Sequence, residues 1–138
     1  VSRRFDVAIV GAGMAGASLA AAIGGDASVV LLEAEAHPGY HATGRSAAFW
    51  SETYGGPHVQ PLTTASETFL RTGGFLTPRG GLHLADAGGE PALEALRAEH
   101  QGKVRLDPLD RAALEALVPG LRPGWNAALL EPTCTDID

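Results

Sequence analysis

Hydrophobic positions along the chain come in short blocks separated by glycine-rich breaks. Residues 5–10 form a run of apolar and β-branched side chains, a pattern suited to a strand buried in a parallel sheet. Gly11 stops it. Residues 14–23 carry alanines and Leu19, which predicts a helix ended by Gly24-Gly25-Asp26. Residues 28–32, Ser-Val-Val-Leu-Leu, predict a second buried strand. Strand, glycine turn, helix and strand make one βαβ unit of about 30 residues.

The pattern then loosens. Residues 34–43 are polar and contain Pro38-Gly39, which predicts a loop, and 44–53 predict a short helix. After the Gly55-Gly56-Pro57 break, with Pro57 suited to a first helical turn, Val59, Leu62, Ser66, Phe69 and Leu70 share one face of a helix ending at Gly73-Gly74. Further on, strands are predicted at 81–86, 103–106 and 125–130. Helices are predicted at 91–100 and 110–117, the last capped by Asp107 or Asp110. A change of character at 73–81 marks the expected domain boundary. The predicted class is therefore α/β: a Rossmann-like βαβ domain on a parallel sheet, followed by the start of an α+β domain. The expected division is 1–74 and 75–138.

Composition narrows the possible partners. The 138 residues carry 10 Lys and Arg against 16 Asp and Glu, a net charge of −6. Lys103 is the one lysine, and no basic patch for nucleic acid is present. No apolar run reaches the ~18 residues of a membrane span, so no integral membrane segment is expected. A single cysteine, Cys134, excludes an intrachain disulfide, fits a reducing cytoplasm and reads as inert. His58, His83 and His100 are isolated and are read as structural or exposed, and with His37 they make no metal-ligand spacing. No metal site is expected from them.

The first chemical motif is Gly11-Ala12-Gly13-Met14-Ala15-Gly16. G-x-G-x-x-G gains meaning here because a strand precedes it, a helix follows it, and a second strand ends in an acid. Gly11 takes the tight turn, Gly13 lets backbone approach a pyrophosphate, and Gly16 lets the helix lie close to the strand. The helix start, Ala15 included, turns free N–H groups toward the phosphates. Glu33 ends the second strand, placed to bind the hydroxyls of an adenosine ribose and to repel a 2′-phosphate. The motif thus reads as FAD or NAD, not NADP. Glu35 next to it is read as solvated.

The second motif is His41-Ala42-Thr43-Gly44-Arg45-Ser46-Ala47-Ala48. Small and hydroxyl-bearing residues at a predicted helix start suit a flat isoalloxazine, with Thr43, Ser46 and the amides around Gly44 as donors and Arg45 as a countercharge. Glu33, together with Pro38-Gly39-Tyr40-His41-x-Thr43-Gly44-Arg45-Ser46-Ala47-Ala48, resembles the FAD-dependent D-amino-acid oxidase superfamily. Within it, the chain is most similar to the D-arginine dehydrogenase and glycine/D-amino-acid dehydrogenase branch. The similarity is strong through Tyr54 and looser over Leu106-Asp107 and Val118-Pro119-Gly120-Leu121.

That resemblance implies FAD as cofactor and a two-domain enzyme, of which this chain is expected to be an N-terminal portion. It implies cofactor contacts at Gly11, Gly13, Ala15, Gly16, Glu33, Ala34, His41, Thr43, Gly44, Arg45, Ser46, Ala47 and Ala48. Ser46 and Ala47 would lie near the reactive face of the flavin. It places Tyr54 in the substrate pocket. Phe49 stands where the branch has a histidine, so that histidine's role is lost. The implied reaction is hydride transfer from an amino-acid or amine Cα–H to flavin N5, giving an imine and then an oxo acid and ammonia, with oxygen or a quinone as acceptor. Two other readings stand beside it. One is a dehydrogenase of 2-hydroxy acids of the L-2-hydroxyglutarate type, although Ser46-Ala47-Ala48 departs from that group's Asn-Ser-Gly. The other is a non-catalytic dinucleotide-binding fragment.

Overall fold

A computed structural model describes residues 3–138, which form two compact units divided between Ala47 and Ala48. In the first, β1 (Val7–Val10), α1 (Met14–Ile23) and β2 (Val29–Leu32) form the expected βαβ unit. β1 and β2 pair in parallel, from Val7 opposite Val29 to Val10 opposite Leu32. Asp6 and Ser28 tie the strand starts together: the Asp6 carboxylate accepts from both the amide and the hydroxyl of Ser28. Ile9 and Ala12 are buried, whereas Val10 is 84% exposed. Gly11, at φ +100°, turns the chain where a side chain would be strained, and its N–H donates to the Leu32 carbonyl.

The second unit contains β3 (Phe49–Trp50), α2 (Gln60–Thr72), β4 (Leu76–Pro78), β5 (Gly81–Ala85), α3 (Glu90–Glu99), β6 (Asp107–Asp110), α4 (Arg111–Leu117), β7 (Ala127–Glu131) and β8 (Thr135–Ile137). They form two antiparallel sheets of three strands, ordered β3-β8-β4 and β5-β7-β6. α3 packs on the second sheet, so Leu93 joins Ala85, Val104, Leu106 and Leu129 in a buried cluster. Each large aliphatic side chain buried this way contributes roughly 1.5–3 kcal/mol. α4 begins as expected, with the Asp110 side chain accepting from the Ala113 amide. Arg111 anchors the following turn by donating to the carbonyls of Leu121, Arg122 and Trp125.

Several expectations need correction. Residues 44–53 are not a helix. A single 3-10 turn covers Thr43–Arg45, Ser46 is extended, Ala48 sits at φ +47°, and Phe49 and Trp50 then pair with Asp136 and Thr135. The left-handed Ala48 ends any helical path. The strand expected at 103–106 lies instead at Asp107–Asp110, on the sheet edge where Pro108 is tolerated. Val104 and Leu106 are core residues outside that strand. Pro57 precedes α2, and Pro61 occupies its first turn. The apolar face assigned to α2 is not buried: Leu62 and Phe69 are both 71% exposed.

Candidate functional site

In the first unit the site is built mostly from backbone. The turn at Gly11 leads from β1 into α1, and the helix approaches the turn closely at Gly16. A Cβ at Gly16 would stand 1.9 Å from the Gly11 carbonyl oxygen. The amides of Gly13, Ala15 and Gly16 have no acceptor among the described residues. The Met14 amide donates to Thr43 Oγ1 at 3.0 Å. Gly13 has ordinary extended dihedrals, φ −76° and ψ −176°, so its need for glycine is spatial. A Cβ there would meet Thr43 Oγ1 at 3.0 Å.

Glu33 reaches back over this loop. Its carboxylate accepts from the Ala12 amide at 2.7 Å, the Ala34 amide at 2.8 Å and the Glu35 amide at 3.0 Å. The N–H of Glu35, then that of Ala12, hold the carboxyl below its ordinary range against the opposing effect of desolvation. Three of about four acceptor positions are thereby used, leaving about one for a ribose hydroxyl. Glu35 is not merely solvated: its carboxylate meets His41 Nε2 at 2.8 Å. The Arg45 guanidinium lies 6.0 Å from the centre of the Tyr40 ring, which meets His41 edge-on. The Gly44 amide donates to the Gly39 carbonyl, and a Cβ at Gly44 would crowd that oxygen at 2.5 Å. Ser46 and Ala47 are exposed. Unpaired helix-start amides beside a close-packed glycine supply the donors a pyrophosphate requires, and a carboxylate at the strand end supplies an acceptor for the hydroxyls of an adenosine ribose.

The second unit holds a buried polar cluster that the sequence did not reveal. Glu131, at the end of β7, is 1% exposed. Its Oε2 accepts from Ser51 Oγ at 2.9 Å and Thr53 Oγ1 at 2.7 Å, and its Oε1 from the Glu52 amide at 2.7 Å. His83 Nε2 lies 3.2 Å from Thr53 Oγ1 and 3.5 Å from Glu131 Oε2. Burial pushes the Glu131 carboxyl up, but bonds from His83, Thr53, Ser51 and the Glu52 amide outweigh it and hold the group at about 2. His83 is therefore not isolated. No spacing rule could have linked residues 51, 53, 83 and 131.

Beside this cluster is a cavity of about 310 Å³, lined by Phe49, Ser51, Arg79, Gly81, His83 and Cys134 among others. Arg79 is paired with Asp136. Burial, and next the charge of Glu131, push the Cys134 thiol up, which suits an inert residue. Tyr54 is 73% exposed, and its ring meets that of Phe49 edge-on at 6.2 Å. Among the described residues no helix is long and apolar enough to cross a membrane, and no group of three or more His, Cys, Asp or Glu is placed to hold a metal.

The family model described as "DAO: FAD dependent oxidoreductase" matches residues 6–138. The chain belongs to that family, whose cofactor is FAD. Its fold is similar to that of glycine oxidase from Geobacillus kaustophilus, with a TM-score of 0.86 at 20% identity, over 99% of this chain and 41% of that one. It is also similar to dithionite-reduced L-α-glycerophosphate oxidase from Mycoplasma pneumoniae with FAD bound, with a TM-score of 0.87 at 19% identity, over 99% of this chain and 40% of that one. L-amino acid deaminase from Proteus vulgaris matches with a TM-score of 0.81 at 16% identity, over 100% of this chain and 35% of its own length. The chain thus spans about two fifths of the glycine oxidase and glycerophosphate oxidase chains.

Proposed function

We propose that the protein containing this chain oxidises the Cα–N bond of a D-amino acid or related amine, giving an imine that hydrolyses to an oxo acid and ammonia. The observation carrying this reading is the Arg45-Ser46-Ala47-Ala48 element. It follows the dinucleotide loop in a member of an FAD-dependent family and resembles the D-amino-acid dehydrogenase branch. Residues through 74 would belong to the FAD domain, with 75–138 opening the substrate domain. A reducing cytoplasm would suit the buried thiol of Cys134.

In this reading the amides of Gly13, Ala15 and Gly16 bind the pyrophosphate and Glu33 the adenosine ribose. Gly11 and Ala34 shape that loop. His41, Thr43, Gly44, Arg45, Ser46, Ala47 and Ala48 follow the cofactor toward its flavin. When bound, FAD supplies the hydride acceptor. The protein binds the substrate, orients its Cα–H and excludes water. Tyr54 and Phe49 give the substrate region an aromatic wall. The turn Pro78-Arg79 is followed by Gly80-Gly81, so no carboxylate is available there for a cationic side chain. Glu131, the acid on the cavity, is engaged by its own donors. Neutral or hydrophobic substrates are therefore preferred, and loss of a charged pair disfavours D-arginine and D-lysine by ~10²-fold.

The test is a panel of D- and L-amino acids, secondary amines and 2-hydroxy acids, supplied to the FAD-loaded full-length protein with an artificial electron acceptor. Neutral D-amino acids or amines should turn over fastest. Activity confined to 2-hydroxy acids or glycerophosphate would refute amine oxidation. A preference for D-arginine would refute the side-chain argument alone.

A further inference from the structure

We propose that His83 is the proton-accepting residue of the cavity beside Phe49, held in its working tautomer by the buried carboxylate of Glu131. The role rests on the amine-oxidation reading above; the arrangement of the side chains does not.

The arrangement follows from the strand register. On β5, Gly81 lies opposite Glu131 and His83 opposite Leu129, so His83 and Glu131 are diagonal neighbours on one face of the sheet. Gly81 has no side chain to fill that face. A Cβ there would already touch Cys134 Cβ at 3.3 Å and Sγ at 3.4 Å. The space it leaves becomes part of the cavity.

Two acceptors surround His83 Nε2. One is the Glu131 carboxylate. The other is Thr53 Oγ1, whose own proton points to Glu131 Oε2 at 2.7 Å. Nε2 therefore carries the ring proton, and Nδ1 keeps its lone pair. Nδ1 has no hydrogen-bond partner among the described residues, and the side chain is 31% exposed at the cavity. The other ionisable groups there cannot take this part. Arg79 is a cation bound to Asp136, the Cys134 thiol is pushed up by burial, and the lone pairs of Glu131 are engaged. Phe49 has no basic atom.

An amine substrate arrives near neutral pH as an ammonium, which has no lone pair to support loss of hydride from Cα. One N–H bond of the ammonium must break first. His83 Nδ1 accepts that proton, forming an N–H bond and an imidazolium whose charge the Glu131 carboxylate balances. The substrate is left as the neutral amine. The position of Phe49 lacks a proton acceptor, and His83 brings one to the same cavity from another strand.

The experiment compares FAD-loaded full-length wild type with His83→Gln and Glu131→Gln. It measures kcat/KM for the preferred amine across pH, FAD content by absorbance, and the imidazole tautomer by ¹⁵N NMR. His83→Gln should retain FAD and lose about 10²-fold in kcat/KM at neutral pH, recovering as the free amine fraction rises. The wild-type acid limb should then give way to the titration of the substrate itself, and added imidazole should restore part of the loss. Glu131→Gln should shift the tautomer away from Nε2–H. An enzyme active on amines whose pH profile His83→Gln leaves unchanged overturns the proposal, as does a wild-type Nδ1–H tautomer. A wild type inactive on every amine overturns the functional reading first and the proton-accepting role with it.

Discussion

The two units place their polar chemistry in opposite ways. In residues 3–47 the chemistry is made largely of backbone: helix-start amides, a turn glycine and a carboxylate whose partners are amides 1, 2 and 21 positions away. In residues 48–138 it is made of side chains drawn together from 51, 53, 83 and 131, all buried except the half-buried His83, with one bond spanning 80 positions. A backbone site requires glycine at fixed spacing and so leaves a mark in the sequence. A side-chain site requires only that the fold bring ordinary residues together. The first kind should fail through geometry when a Cβ is added, and the second through an unpaired charge or donor.

Gly16→Val offers the largest break in that comparison. Its Cβ would stand 1.9 Å from the Gly11 carbonyl oxygen and 3.2 Å from Ile9 Cγ2, and backbone cannot swing aside as a side chain can. α1 must separate from β1, which misplaces the anion-binding amides. Full-length Gly16→Val should purify without flavin, while the tryptophan environment of the second unit, where Trp50 Nε1 donates to the Thr63 carbonyl, stays native. Absorbance near the flavin bands and Trp fluorescence read the two units separately. Retained flavin would show that the close approach is not needed.

The same division explains what the sequence made legible. α1 was readable to the residue, and β1 and β2 to within a residue or two, because alternation, glycine and helix propensity act over a few positions. β3, β4 and β8 were missed because each has only two or three residues and exists through pairing across 57 positions or more. The strand at Asp107–Asp110 was hidden by its composition, since Asp-Pro-Leu-Asp has neither alternation nor β-branched residues. Val104 and Leu106 carried a true burial signal with the wrong element attached. In the candidate site, the motifs name the glycines, Glu33 and Thr43, which the fold brings together around the start of α1. The pairing of Glu35 with His41 was not legible, because two exposed groups six apart in a loop carry no pattern. His83 was set aside as isolated for want of any sequence link to Glu131.

The acid response of Glu131 sharpens the comparison at intermediate size. Its carboxyl lies at about 2 in the folded protein against an ordinary 4.5. A carboxyl lowered on folding adds stability that is fully present above the unfolded value and is lost as pH falls through the folded one. The drop corresponds to roughly 3 kcal/mol, absent from Glu131→Gln. Denaturant unfolding of the second unit should therefore show a gap of that order between wild type and variant at pH 7, narrowing between about pH 4.5 and 2. Glu33 is exposed, and Glu33→Gln should leave no comparable trace in stability. A gap for Glu131→Gln that stays constant down to pH 2 would show that its charge is not what the cluster holds.

The smallest effect concerns what Gly13 makes room for. Its dihedrals are open to any residue, so Gly13→Ala carries no backbone strain. The obstacle in the structure is Thr43 Oγ1, 3.0 Å from the added Cβ, and that hydroxyl also accepts from the Met14 amide. Thr43→Ala removes the obstacle and uncaps one helix amide, at a cost of roughly 1 kcal/mol. If Gly13 serves only to admit Thr43, the double variant should bind FAD as tightly as Thr43→Ala alone. The coupling in a double-mutant cycle would then be roughly 0.5–1 kcal/mol in melting experiments. If Gly13 serves the pyrophosphate, FAD affinity should fall in the double variant as far as in Gly13→Ala. Titrating FAD into the four flavin-stripped proteins separates the two, because relief by Thr43→Ala is expected only when the neighbour in the way is the threonine.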